Sequence, residues 1–291
     1  MSNNCDTKYN DQIHIVREKV LEHLETDPKF VDTVDDEDIA NIKNYDWFIH
    51  RWLTHNNGNC DQSVQQMITT LQWRHKMGFR SLATNYFPNE FYRIGGMFFY
   101  EPTQDGQFTF YLRLCRIRKM PEMNEVIKKL VSYNLWLLEK RAGDRGFVIV
   151  FDLNGASLTN CDLEIARHLI STIVKYFLHA IVSVYIVDFP IILWAFWALI
   201  KNLIPSSSRS SLKFCSRDDL LNYIDSDRLP IVLGGSCERL TTGWKLAPPG
   251  SPSCYDFGVN ILGISPEKCE KMCQIFIPYL DSNDSENLNS V

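Results

Sequence analysis

Apolar positions recur at helical spacing through the first part of the chain, then give way to short runs and alternations. An amphipathic stretch runs from about Asn10 to Thr26. Asp35 to Thr54 carries Ile39, Ile42, Tyr45, Ile49, Trp52 and Leu53, a spacing that predicts a second helix. Asn56, Asn57 and Gly58 break it. A third helix follows Asp61, read as its N-cap, with Val64, Met67, Ile68 and Leu71 on one face and Gly78 at its end.

The pattern changes after Gly95 and Gly96. MFFYE and FTFYLRL, joined by a turn around Asp105-Gly106, read as a hairpin. Glu122 to Arg141 is a long helix through Val126, Leu130, Tyr133 and Leu137. GFVIVFDLNG is apolar on both faces, as expected of a central strand in a covered sheet. A helix follows from Cys161 to Leu178, then the strand VSVYIVD, a helix from Pro190, a strand at Leu212 to Cys215 and a helix from Arg217 to Ile224. This alternation predicts an α/β fold: an N-terminal helical region, then a mostly parallel or mixed sheet flanked by helices. The expected divisions are 1–80 helical, 81–240 the α/β domain, and 241–291 a linker-like tail whose polar end, DSNDSENLNSV, reads as disordered.

Ala180 to Ile204 has the hydropathy of a membrane span, but Asp188 and Pro190 divide it and Lys201 lies near its end. A spanning helix needs about 20 uninterrupted apolar residues. A buried strand followed by a helix opening at Pro190 fits better, since proline suits a first helical turn. Ile191 to Ile200 has no polar residue. Such a helix needs an apolar partner on every face, from protein, ligand or bilayer.

Composition narrows the chemistry. The net charge of −5 argues against general nucleic-acid binding, which needs an excess of bases against phosphate. No secretory signal opens the sequence. The nine cysteines are odd in number, form no CxxC, and read as reduced thiols of a cytoplasmic protein. Cys269 and Cys273 have the spacing to share a helix face, where a disulfide or metal role is the competing reading, and His50 and His55 lie five apart without acidic or thiol partners at metal spacing. No GxSxG, GxxxxGK[ST] or HExxH occurs. Asp152 and Asp188 end strands and read as structural, and His168 as an edge or capped residue. No catalytic residue, cofactor or metal is expected.

Four segments, in order, resemble the CRAL-TRIO family: LQWRHKMGF at Leu71 to Phe79, GFVIVFDLNGASL at Gly146 to Leu158, VYIVDFPIILWAFWALIKNLI at Val184 to Ile204, and DLLNYIDSDRLPIVLGG at Asp219 to Gly235. The resemblance spans roughly Asp35 to Gly235. It implies a lipid cage closed by a mobile gate helix over an apolar cavity, and a peripherally membrane-associated protein that binds, transfers or presents a lipid. Phosphatidylinositol binders of the family carry a Glu and a Lys where this chain has His179 and Ser211, with Lys213 two residues on. That departure argues against carrying over phosphoinositide recognition.

The expected pocket wall comes from Phe108, Phe110 and Leu112, which alternation puts on one strand face. Val148, Val150, Tyr185 and Val187 on neighbouring strands, and Leu193, Phe196, Trp197 and Ile200 from the gate helix, complete it. For any one of these, ordinary core packing is the competing reading. Arg113, Arg116 and Arg118, followed by Lys119, form a basic cluster for anionic headgroups, or else a solvated charged turn. Arg209 and Lys213 flank the Ser-rich loop past the gate helix and are further headgroup or membrane contacts. The alternative to lipid exchange is a scaffold module whose cavity stays filled while its surface recruits a protein partner.

Overall fold

The computed structural model describes residues 9–27, 34–239 and 246–280. The expected disordered end and Cys5 lie outside these residues. The chain forms two compact units. One comprises residues up to Leu82 together with Ile173–Ala180; the other holds Ala83–Thr172 and the chain from Ile181 onward.

The first unit contains α1 (Asn10–Thr26), α2 (Asp36–Asn44), α3 (Asp46–His55) and α4 (Cys60–Met77). The single helix expected from Asp35 to Thr54 is two. Tyr45 between them is extended (φ −124°, ψ 115°), and its ring is exposed. Its place in the apolar period therefore reflects a junction and not a core contact. The cap of α4 is Asn59, whose side chain accepts the Gln62 N–H at 3.0 Å; Asp61 pairs with Lys19 at 2.7 Å instead. Gly78 ends α4 in the left-handed region, as expected (φ 64°). Val16, Val20, Ile42, Ile49, Leu53 and Met67 fill the core, beside a buried Arg74–Asp38 ion pair at 3.1 Å. The segment Ile173–Ala180 joins this unit as a π turn and a 3-10 turn. Tyr176 stacks on Trp73 at 4.0 Å, and His179 on Trp52 at 3.6 Å. The helix expected to run from Cys161 to Leu178 thus ends at Thr172.

The second unit opens with α5 (Asn89–Arg93) and is built on five strands in the order β1 (Met97–Tyr100), β2 (Phe108–Arg113), β3 (Phe147–Asp152), β4 (Ile181–Val187) and β5 (Leu212–Cys215). β1 and β2 form the predicted antiparallel hairpin, turning at Gly106 with φ 78°. The β2–β3, β3–β4 and β4–β5 pairs are parallel, so each connection must cross back over the sheet. These connections carry α6 (Asn124–Ala142), α7 (Leu163–Thr172) and α8 (Trp194–Ile200). α9 (Arg217–Leu220) is shorter than the helix expected there.

The two faces of the sheet are occupied differently. On one, Phe98, Tyr111, Val148, Val150, Tyr185 and Val187 pack under the segment carrying Leu220, Ile224, Leu229 and Leu233. On the other, α6 lies against β2 and β3, and Phe151, Ile186 and Leu193 share a cluster with Phe196 and Trp197. Beyond the segment that closes the first face, residues read as linker-like carry α10 (Cys254–Asn260), α11 (Pro266–Cys273) and α12 (Ile277–Leu280). They are tied to the start of the unit by Glu90, whose carboxylate accepts the Cys254 N–H at 2.7 Å, and by the Asn89 N–H to the Pro252 carbonyl at 2.9 Å.

Candidate functional site

The site is organised by the turn that leaves β4. Asp188 has φ 51°, a conformation that Asp tolerates better than most residues. Its carboxylate holds the turn, accepting from the Asn154 side chain at 3.1 Å and the Arg217 N–H at 3.2 Å. Pro190 follows. A 3-10 turn at Ile191–Leu193 then leads into α8, and a second at Lys201–Leu203 ends the segment. Arg209 donates to the Ile204 and Lys201 carbonyls at 3.3 and 3.4 Å, satisfying acceptors that a helix end leaves open.

The segment has a buried anchor and an open side. Leu193 is 1% exposed and packs with Ile186, Leu153, Ala156 and Cys161. Phe196, Trp197 and Ile200 are half-buried. Ile191 is 85% exposed, Leu199 60%, Ile192 58% and Trp194 52%. Leu203 and Phe214 are exposed too. Trp194 stacks over Phe214 at 6.3 Å, with Phe189 5.0 Å from Trp194 and Trp197 5.3 Å from Phe214. The helix that was expected to be apolar all round is therefore covered on one side and faces outward on the other. α7 runs beside it, with Ile165, Ala166 and Ile170 half-buried.

The expected pocket wall divides between the two sheet faces. Phe110 is in register with Ile149, and Tyr111 with Val150. Val148, Val150, Tyr185 and Val187 are thus on the face opposite α8, packed against Leu220 to Leu233. Their placement in one wall with Phe108, Phe110 and Leu112 is corrected, because alternation fixes faces within a strand while inter-strand register fixes them between strands. Ile149, Phe151, Val184 and Ile186 take the positions beside Phe110 and Leu112. Phe110 and Leu112 are buried and Phe108 half-buried, and Phe110 packs on Phe99 at 5.2 Å. Phe189, Trp194 and Phe214 were not singled out; the apolar run contained the first two, but only the tertiary fold brings Phe214 to them.

The five expected headgroup bases do not form one group. Arg113 is buried and paired with Asp152 at 3.3 Å. Arg116 is buried under the Tyr279 ring at 5.4 Å. Neither fits the reading of a solvated turn. Arg118 donates to the Cys115 and Ile117 carbonyls at 2.9 and 3.1 Å. Arg209 serves the end of the α8 segment, and Lys213 lies over Tyr223 at 4.5 Å and Tyr185 at 5.3 Å, on the far face of the sheet. Sequence reasoning missed Arg217, which donates to Asp152 at 3.2 Å and pairs with Asp188 at 3.1 Å.

Asp152 itself is 0% exposed and also accepts the Asn154 N–H at 3.1 Å. His168 is half-buried with Nε2 2.9 Å from Ser132 Oγ and 3.2 Å from the Lys128 carbonyl; burial lowers its basicity. Burial pushes the Cys115 thiol up. Among the described residues no group of His, Cys, Asp or Glu is placed to hold a metal ion. No helix among them is long and apolar enough to cross a membrane.

The second unit is thus a five-stranded mixed sheet flanked by helices, with an apolar outward-facing segment after β4. Residues 93–235 match the CRAL/TRIO domain model, and this part of the chain belongs to that family, whose members bind and transfer lipids. The chain is 24% identical over 214 residues to a CRAL-TRIO domain-containing protein of Schizosaccharomyces pombe, covering 67% of this chain and 59% of the relative. It is 24% identical over 249 residues to Protein real-time of Anopheles gambiae, covering 74% of this chain and 36% of that one. The chain thus spans little more than half, or about a third, of those relatives. The crystal structure of Sfh5 superposes with a TM-score of 0.62 at 18% identity, covering 90% of this chain and 98% of Sfh5. That likeness establishes the fold.

Proposed function

We propose that this chain binds a phospholipid or similar lipid in an apolar compartment beneath α8 and transfers or presents it at a membrane. The observation that carries the reading is the two-sidedness of the Ile191–Leu203 segment. Its inner residues Leu193, Phe196 and Trp197 face an apolar cluster, while Ile191, Ile192, Trp194 and Leu199 face outward. Covering a large apolar side chain is worth about 1.5–3 kcal/mol, so a bilayer surface stabilises this segment in a way that water does not. Docking at a membrane then favours displacement of the helix from the sheet, because its inner residues also find an apolar partner there.

In this reading Leu193, Phe196, Trp197 and Ile200 gate and contact the ligand. Phe108, Phe110 and Leu112 share their sheet face and form its more distant floor. Arg209, at the end of the segment, contacts headgroups at the membrane, whereas Lys213 lies on the far face of the sheet and is left out of that contact; the protein works as a peripheral membrane component of the cytoplasm. Each buried CH₂ contributes about 0.8 kcal/mol, so chain length tunes preference. No group in the compartment is assigned to catalysis.

The test is transfer of a fluorescent phosphatidylcholine between donor and acceptor vesicles. Trp197→Asp is expected to abolish transfer while leaving the circular dichroism spectrum nearly native. Unchanged transfer by that variant sinks the gate model. A scaffold that never exchanges its lipid would show no transfer even in the wild-type chain.

A further inference from the structure

The cysteines of the second unit are not spread evenly through it. Cys254, Cys269 and Cys273 all fall on α10 and α11, which a short turn joins. The turn is closed by the Leu262 N–H donating to the Phe257 carbonyl at 3.2 Å and the Ile264 N–H to the Gly258 carbonyl at 2.9 Å. Helices joined this tightly form an antiparallel hairpin, so the start of α10 comes beside the end of α11.

A glycine sets the register of the pair. A Cβ on Gly258 would lie 2.6 Å from Cys269 Sγ, so these two positions face each other at close range. The Cys269 thiol donates to the Ile264 carbonyl at 3.9 Å. One helical turn further from the loop, on the same face of each helix, stand Cys254 and Cys273. Their side chains meet: the Cys254 thiol donates a hydrogen bond to the Cys273 sulfur. The Cys254 backbone is held in place by the Glu90 carboxylate, which accepts its N–H at 2.7 Å. Just past α11, Phe276 packs on Phe91 at 6.1 Å.

The two thiols differ in access. Cys254 is 0% exposed, whereas Cys273 is half-buried. Burial pushes both thiols up, while the hydrogen bond from Cys254 works the other way on Cys273. The pair therefore rests protonated, and Cys273 is the sulfur that an oxidant from solvent meets first.

We infer that Cys254 and Cys273 are a site of reversible oxidative modification, in which hydrogen peroxide converts the pair into a disulfide that locks the α10–α11 hairpin. The Cys273 thiolate attacks one peroxide oxygen and the O–O bond breaks. This gives a sulfenic acid, and the departing oxygen leaves as water with the proton that Cys273 released. The Cys254 sulfur then attacks the sulfenic sulfur, and the hydroxyl leaves as a second water with the Cys254 proton. Two thiols have lost two electrons and two protons, and the peroxide has been reduced to two waters. Sulfurs already in hydrogen-bond contact need little backbone movement to reach bonding distance. In a reducing compartment such a bond is transient, and exchange with another thiol restores the pair. The inference does not rest on lipid binding, which the transfer assay reports separately.

The experiment treats the full chain with hydrogen peroxide, blocks the remaining thiols with N-ethylmaleimide and maps linkages by peptide mass spectrometry. The expected product is a single linkage, Cys254 to Cys273, removed by dithiothreitol and accompanied by slower amide exchange in α10 and α11. Cys254→Ala is expected to lose the linkage and leave Cys273 as a sulfenic acid that dimedone traps. Cys269→Ala is expected to form the linkage as the wild type does. Cys273→Ala, at a half-buried position, is expected to lose it as well, and serves if Cys254→Ala does not fold. Cys254 and Cys273 still reduced after treatment, a linkage that uses Cys269 instead, or linkages scattered over the other cysteines overturns the inference.

Discussion

At the scale of single residues, Asp152 has the largest expected effect. It is fully buried and receives two guanidiniums and a backbone N–H. Asp152→Ala leaves the buried Arg113 without its counter-charge and is expected to cost about 3 kcal/mol or more, read as a lowered midpoint in urea unfolding. Arg217 is partly exposed, so water softens its share of that loss. His168 gives a pH prediction. Burial holds its folded-state pKa below the ordinary 6.5, so the unfolded chain takes up the proton first. Its stability contribution is complete above that ordinary value and declines as pH falls through it toward the lower folded value. His55 is shifted the same way by burial. Thermal unfolding across this range is expected to show a shallower acid slope for His168→Gln than for the wild type; an unchanged slope contradicts the assignment. The places of both acids, at or just past the end of a strand, were legible in the sequence. Their partners were not, because Arg217 lies 65 positions from Asp152 and nothing local in the sequence joins them.

At the scale of elements, legibility followed the range of the interaction. α1 begins and ends where its apolar period and flanking residues place it, and the β1–β2 hairpin follows from alternation around Asp105-Gly106. Tyr45 defeated the period because a single extended residue re-aims a helix without disturbing spacing. Strand faces were legible one strand at a time. Their alignment was not, and so Val148, Val150, Tyr185 and Val187 were grouped with residues on the other side of the sheet. The closing segment yields its own prediction. A Cβ on Gly235 would lie 1.9 Å from the Leu229 carbonyl oxygen, in a turn where Cys237 N–H donates to that same carbonyl at 3.1 Å. Gly235→Ala must shift backbone and is expected to destabilise by about 1–3 kcal/mol. The cover over Tyr111, Val150 and Tyr185 should loosen with it, visible as faster amide exchange in β3 and β4. Ile191→Asp, on an 85% exposed side chain, is expected to leave thermal stability nearly unchanged while weakening sedimentation with phosphatidylcholine vesicles.

At the scale of the whole molecule, the chain places contrasting surfaces on one α/β unit. After β4 it presents an apolar segment anchored by Leu193 and open to the outside; at the ends of β2 and β3 it presents guanidiniums fixed by carboxylates and a tyrosine ring. The fold class was legible because alternating strand and helix patterns admit few topologies. The outward exposure of Ile191, Ile192 and Leu199 was not, since a run of ten apolar residues states only that partners are needed and not which side of the helix lacks them.

The most direct measurement of the central claim is native mass spectrometry of the chain purified without added lipid. The account predicts a population heavier than the polypeptide by the mass of one lipid, diminished in Trp197→Asp. A spectrum holding the bare polypeptide alone, from a wild-type chain that also takes up no phosphatidylcholine from vesicles, would contradict it.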